Sequence, residues 1–418
     1  MAPTTQNHDS TRSVLQQSPR QVGVSCPQNR TSLSIWVAFS LVVLFSTLAK
    51  AQGGSSSNAP GTVAQASVSA RAIRMPVVSG SDINFKELAN VTGLSQTRVL
   101  QIVQDDKGFV WFGTQYGLDR YDGYKFRVFT PVPGRVNSLS GAYIYSLFKD
   151  HAGMLWIGCD QFLERFDPTT ETFTHYRIES DASSRVPLTV VHISQDHAGM
   201  LWLATGGGLY GLDPTTGQIS HHYTHDPRNP SSLSSNDLRA TGEDRSGRFW
   251  VMERSNLEEF DRETGKVTLR VVVPESGVDG ASFYEDHLGT FWIVSSSFWG
   301  GGGLATFDRT TNKVTNFSLY NSSSGKMMPV GVVKVLEDEK GTLWFASEGE
   351  GLLKFDRKHG RMVSYRNQPE NVESIAEDRV IALGKDHQDN IWTAFHARAP
   401  NVFSHQNAIL QPTITPES

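Results

Sequence analysis

Gln104-Asp105-Asp106-Lys107-Gly108-Phe109-Val110-Trp111-Phe112-Gly113-Thr114 decides the fold, because its pattern returns along the chain. An Asp is followed by Gly three residues on and by Trp six residues on. The same spacing is found at Asp150, Gly153 and Trp156, at Asp196, Gly199 and Trp202, and at Asp244, Gly247 and Trp250. It continues at Asp286, Gly289 and Trp292, at Asp338, Gly341 and Trp344, and at Asp386 and Trp392, where the Gly is lost near Asn390. Seven of the nine tryptophans thus stand on one ruler, at spacings of 45, 46, 48, 42, 52 and 48 residues. Self-similarity at such a period marks a repeat architecture and governs every local reading.

Working outward, the apolar alternation before the Asp (Leu100 and Ile102; Val191 and Ile193; Val333 and Val335) predicts a buried strand. Asp-x-x-Gly reverses the chain, since the carboxylate accepts bonds from turn amides and Gly tolerates positive φ. The Trp then opens a second strand, where its ring can fill the gap between adjacent sheets. A Gly-Leu pair (Gly117-Leu118, Gly208-Leu209, Gly303-Leu304, Gly351-Leu352) begins a third strand, which ends at an aromatic residue and Asp such as Phe307-Asp308. A turn such as Asp213-Pro214-Thr215-Thr216-Gly217 leads to the fourth strand. Four short antiparallel strands per unit are the signature of a propeller blade. The fold class expected is all-β: a seven-bladed β-propeller of four-stranded antiparallel blades over residues 81–410, with 411–418 as a disordered tail. The stretch Asn84 to Leu88 is expected to supply the outer strand of the degenerate seventh blade, closing the ring and removing exposed sheet edges.

Ahead of the repeats, no charge interrupts the chain between Arg30 and Lys50, and Leu33 to Leu48 is mostly apolar. Residues 1–51 therefore read as an export signal, with Ala49 and Ala51 favouring cleavage before Gln52. An uncleaved signal anchor is the competing reading, because 19 uncharged residues span roughly 29 Å as a helix, close to the hydrocarbon thickness. Such an anchor would be the chain's sole link to a membrane. Residues 52–80 are rich in Ser, Gly and Ala and read as a flexible linker. A formal charge of −5 shows no basic excess of the kind that binds nucleic acid. Of two cysteines, Cys26 lies before the cleavage site, leaving Cys159 as a small buried residue with no disulfide partner.

The first repeat, from Gly93-Leu94-Ser95 through Gln104-Asp105, Gly108, Val110 to Thr114, Gly117-Leu118 and Arg120-Tyr121-Asp122-Gly123, closely resembles the two-component regulator propeller repeat. The connectors Asn137-Ser138-Leu139-Ser140 and Asn229-Pro230-Ser231-Ser232-Leu233-Ser234 extend the resemblance, which runs from about Phe85 to Phe403. It implies an exported, periplasmic or extracellular, sensor propeller that binds an extracellular small molecule such as an oligosaccharide. In that family such propellers commonly precede a second propeller, a membrane helix and a histidine kinase. The fifteen residues after Phe403 hold no kinase, so a second propeller or a receptor protein is an expected partner.

His151, His197, His287 and His387 all follow the turn Asp, yet equivalent positions of different blades stand far apart around a ring. Metal ligands must converge on one ion at about 2.0–2.1 Å, so these histidines and the repeated Asp residues read as turn scaffold. No catalytic residue, metal or cofactor is assigned. A glycosidase would need two carboxylates brought within roughly 5–10 Å, and a lyase would likewise need a carboxylate cluster in the channel. The informative residues are those that break the repeat between second and third strands, since propeller ligands meet irregular loops on one face. Tyr116, Arg254, Trp299 and Glu348 are the ligand-binding candidates there. A protein-docking scaffold is the alternative, favoured by large exposed apolar residues on one face.

Overall fold

A computed structural model describes residues 63–69, 71–88, 93–159, 162–178, 188–273, 281–296 and 303–404. The signal or anchor segment 1–51 and the tail 411–418 lie outside them. Every regular element among the described residues is a strand.

Seven blades follow one another along the chain, each built outward from the innermost strand. Blade 1 runs Val99–Gln104, Val110–Thr114, Leu118–Tyr121 and Phe126–Phe129, all antiparallel. The innermost strands of blades 2 to 7 are Ile144–Lys149, Val190–Gln195, Leu238–Glu243, Ala281–Glu285, Val332–Glu337 and Val380–Lys385. Each packs on the next, and the last packs on blade 1, so the ring is closed. Blade 7 has three strands of its own, and its outermost strand Asn401–Phe403 pairs with β4 (Lys86–Glu87), as the sequence predicts.

The residues expected as a flexible linker are partly strand, which corrects the 52–80 reading over its described portion. β1 (Ala64–Gln65) pairs in parallel with the outermost strand of blade 4, Lys266–Val272. β2 (Ser67–Val68) pairs with the start of the outermost strand of blade 5, Lys313–Asn321. β3 (Ile73–Ser79) then lies between that strand and the outermost strand of blade 6, Arg361–Tyr365, bonding to both. The composition misled because it hid Met75 and Val77, which are buried in the core between blades 5 and 6. Residues 64–87 thus form a strap along the outer edges of blades 4, 5, 6 and 7.

The cores sit between blades. Each repeated Trp packs against the next blade: Trp111 on Phe166, Trp250 on Phe291 and Phe307, Trp344 on Phe403, and Trp392 back on Phe112 and Tyr121. One carboxylate oxygen of every turn Asp accepts the indole N–H of its own Trp, at 2.7 Å in blades 1 and 2, 2.8 Å in blade 3, 2.9 Å in blades 4, 5 and 7, and 3.0 Å in blade 6. Its other oxygen accepts turn amides, those of Lys107 and Phe109 at Asp105. The motif is therefore one unit that fixes the turn and the ring together. Where blade 7 lacks the Gly, Asp389 takes the positive φ of 61°. The Gly of the Gly-Leu pair is required by crowding: a Cβ on Gly208 would stand 2.3 Å from the Tyr223 carbonyl.

Candidate functional site

The innermost strands line a central cavity of roughly 370 Å³. Five residues before each turn Asp, one side chain per blade reaches its wall. Leu100, Val191, Ala281, Val333 and Ile381 make this ring apolar, whereas blades 2 and 4 place Tyr145 and Arg239 there. The neighbouring position adds Gln101, His192, Ser282 and Lys334. Arg98, Tyr143 and Arg379 stand two residues earlier than the ring, at the strand starts, and Glu348 joins them from the loop after the second strand of blade 6. These strand starts lie on the same face as the loops between second and third strands, because strands alternate direction within each blade.

Charge on this wall is unbalanced. Arg98, Arg239, Lys334 and Arg379 face one carboxylate, Glu348. Glu348 Oε1 accepts from Arg379 Nη2 at 3.2 Å, and its side chain is only 3% exposed. Asp237, just behind, accepts from both Arg239 Nη2 at 2.8 Å and Arg254 Nε at 3.1 Å. Burial pushes the Lys334 ammonium below its ordinary value. Burial also drives His192 down to about 3, assisted by the charge of Lys334. His192 is therefore neutral, its Nδ1 accepting the Thr241 amide N–H at 3.3 Å, which leaves its proton on Nε2. Both shifts have the same first cause, burial of the side chain away from bulk water.

Aromatic surface completes the wall. Tyr143 and Tyr145 stack at 4.2 Å between centroids with an interplanar angle of 25°. Gln101 Nε2 donates to the Tyr145 carbonyl at 3.1 Å, and Gln115 Nε2 to the Tyr143 hydroxyl at 3.1 Å.

Of the four residues expected from the sequence, Glu348 lines the cavity. Arg254 is not among the lining residues; it is 43% exposed and shares Asp237 with the wall residue Arg239. Tyr116 stands on the rim, 62% exposed, next to the Gln115 that holds Tyr143. Trp299 lies outside the described residues. Sequence reasoning missed Arg98, Arg239, Arg379, Lys334 and the tyrosine pair, because it sought irregularity in loops. The signal was present at fixed positions before each turn Asp, where apolar or small residues give way to charge.

The turn histidines do not converge. The His151, His197 and His287 amides donate to Gln195, Glu243 and Glu337 of the following blade, and that of His387 to Gln104 of blade 1, so they latch neighbours around the ring. Among the described residues no group of three His, Cys, Asp or Glu could hold a metal ion. Cys159 is buried in blade 2. No helix among the described residues is long and apolar enough to cross a membrane.

Comparison with known proteins agrees with this architecture. A 60-residue stretch is 38% identical to histidine kinase P4 of Formosa agariphila, spanning 14% of this chain and 4% of that protein. The extracellular domain of a hybrid two component system from B. thetaiotaomicron is similar with a TM-score of 0.62 and 23% identity, over 77% of this chain and 42% of that one. Virginiamycin B lyase from Staphylococcus aureus is similar with a TM-score of 0.57 and 14% identity, over 77% of this chain and 99% of the lyase. The chain spans about two fifths of the length of the extracellular domain it resembles. At these identities the structural likeness speaks for the fold alone. The chain is a propeller, and its residues 93–116 and 138–161 match the family described as two component regulator propeller.

Proposed function

We propose that this protein is a non-catalytic, exported sensor propeller that binds an extracellular small molecule, an oligosaccharide in the first instance, at the channel mouth. The observation that carries this reading is the departure from the repeat at the wall: the scaffold positions are uniform around the ring, while Arg98, Tyr145, Arg239, Lys334 and Glu348 are not. Pockets of roughly 300–1,000 Å³ with a few polar groups on a rigid wall are the usual form of a small-molecule site. Export places that site outside the cytoplasm, where glycans are met.

Thermal unfolding of the protein with a panel of plant and microbial oligosaccharides tests the reading, since a ligand at 100 times its dissociation constant adds about 2.7 kcal/mol. An upward shift by one glycan class, lost in Glu348→Gln, supports it. A transition that no glycan moves counts against it.

A protein-docking role is the second reading. It is favoured by Tyr116, Val132, Val136 and Val372, all exposed and all in loops on the face of the channel mouth. Retained sugar binding after all four are replaced by Ser would separate the two roles.

A further inference from the structure

Resting on the ligand-binding reading above, we infer that the channel is an anion site whose occupant is an acidic sugar, its carboxylate or sulfate group meeting the arginines while its ring stacks on the tyrosine pair. The protein as a whole is acidic, with a formal charge of −5, yet four cationic side chains and one carboxylate line this cavity. The inversion is local. Arg98 comes from blade 1 and Arg379 from blade 7, whose innermost strands are packed neighbours. Arg98 Nε is buried and bonds to no group among the described residues, an N–H donor held for an acceptor that the chain does not supply.

Guanidinium groups present planar forks that match a carboxylate or sulfate, and charge-assisted bonds of this type are about twice as strong as neutral ones. The apolar side chains of Leu100, Val191, Val333 and Ile381 lower the polarity of the wall, where charge interactions are stronger than in bulk water. A bare inorganic anion would use the cations and leave the stacked Tyr143 and Tyr145 idle. A pyranose bearing an acid group uses both, since the apolar face of the ring packs on an aromatic surface. All these groups except Glu348 stand on or beside the innermost strands, and groups held on strands are placed more precisely than groups on loops.

The test is calorimetric titration of the full protein with tri-galacturonate, with its fully methyl-esterified form, with a sulfated heparin disaccharide, and with inorganic sulfate. The expected result is binding of at least one acidic sugar, at least tenfold tighter than the ester or inorganic sulfate and weakened by salt. Arg98→Met and Lys334→Met should each reduce that affinity tenfold or more while keeping a cooperative thermal transition, and Arg228→Met, which alters an exposed arginine away from the cavity wall, should not change it. Equal binding of acid and ester overturns the anion site but leaves glycan sensing standing. Sulfate binding as tight as that of the sugars, with the same sensitivity to Lys334→Met, overturns the sugar as occupant. Silence from all four probes overturns the inference, and the oligosaccharide panel then decides separately whether sensing survives.

Discussion

In the joints between blades 3 and 6, the turn Asp of one blade receives an arginine from the next. Arg262 Nη1 bonds Asp196, Arg309 Nη1 bonds Asp244, and Arg357 Nη2 bonds Asp286, each at 2.7 Å. In blade 1 the corresponding Asp105 has its Trp and its turn amides but no arginine contact of this kind. The arginine of its own third strand, Arg120, instead lies 4.3 Å from the Phe109 ring centroid and bonds Glu171 of blade 2. The same motif thus carries charge under different conditions. Burial opposes the charge of Asp244, but bonds from the Ser246 hydroxyl, Trp250, the Arg248 amide and Arg309 outweigh it and hold the carboxyl at about 2. Asp286 is also held low against burial, by Trp292 and Arg357. At Asp105 burial wins, and the carboxyl is pushed above its ordinary value.

A second pair of buried acids differs in its partners, although burial raises both carboxyls. Asp119 in blade 1 and Glu258 in blade 4 both accept the amide N–H of a connector serine, Ser95 and Ser234. Glu258 is also bonded by Arg270 Nε at 2.6 Å. Asp119 has the Ser95 hydroxyl at 2.7 Å but leaves Oδ1 without a hydrogen-bond partner among the described residues, and burial raises it to about 6. The strap runs along the same side of the ring, over blades 4 to 7. Blades 3 to 6 are therefore tied by the arginine brackets and blades 4 to 7 by the strap, whereas blade 1 has neither and meets blade 2 through packing and the pairs of Arg120 and Arg127 with Glu171.

The contrast breaks most readily at the strap. Val77→Asp places a charge in the core between blades 5 and 6 and is expected to cost about 5 kcal/mol. Val128→Asp, on the exposed outer strand of blade 1, should stay within about 0.5 kcal/mol. Urea denaturation reads both, and similar losses would show that the strap adds nothing.

Asp244→Ala strands Trp250, Arg309 and the turn amides, and is expected to cost about 3–4 kcal/mol against about 2 for Asp105→Ala. Equal costs would mean that the arginine brackets carry no stability. Arg309→Met should cost about 1–3 kcal/mol at pH 7. Because the folded Asp244 titrates at about 2, below the unfolded value near 4, its contribution is full above pH 4 and lost as pH falls toward 2. The Arg309→Met deficit should shrink across that window, as followed by thermal melts.

Asp119→Asn sharpens the comparison with the smallest effect. Its raised value has the opposite sign: the charged form is disfavoured in the fold, so stability is gained as pH falls from about 6 toward 4. The amide keeps an acceptor for Ser95 and removes the buried charge, so the variant should gain about 1 kcal/mol at pH 7.5 and lose that part of the pH slope. A destabilised variant with an unchanged slope would contradict this account.

The repeat was legible because turn chemistry is local: Asp, Gly and Trp sit within seven residues, and the seven copies announce the blades. The closing strand was legible for a similar reason, since one blade visibly lacked its fourth strand. The strap was not, because Met75 and Val77 acquire partners only from strands more than two hundred residues later. The channel was half legible. Glu348 breaks a loop pattern and stands at the cavity wall, whereas Arg239 and Lys334 sit inside strands and Arg98 just before one, where apolar neighbours mask them. Which blades face each other across a ring is a property of closure, and no single repeat contains it.

The strap also sets how the ring would take a mechanical load. Tension entering from the N-terminal side of Val63 reaches β1 on blade 4 first, then β2 and β3 on blades 5 and 6, and only then β4 at the seam in blade 7. The joint that closes the circle is thereby the last to feel a pull, shielded by three anchorages in series, and a tether on that side could tug the propeller without opening it.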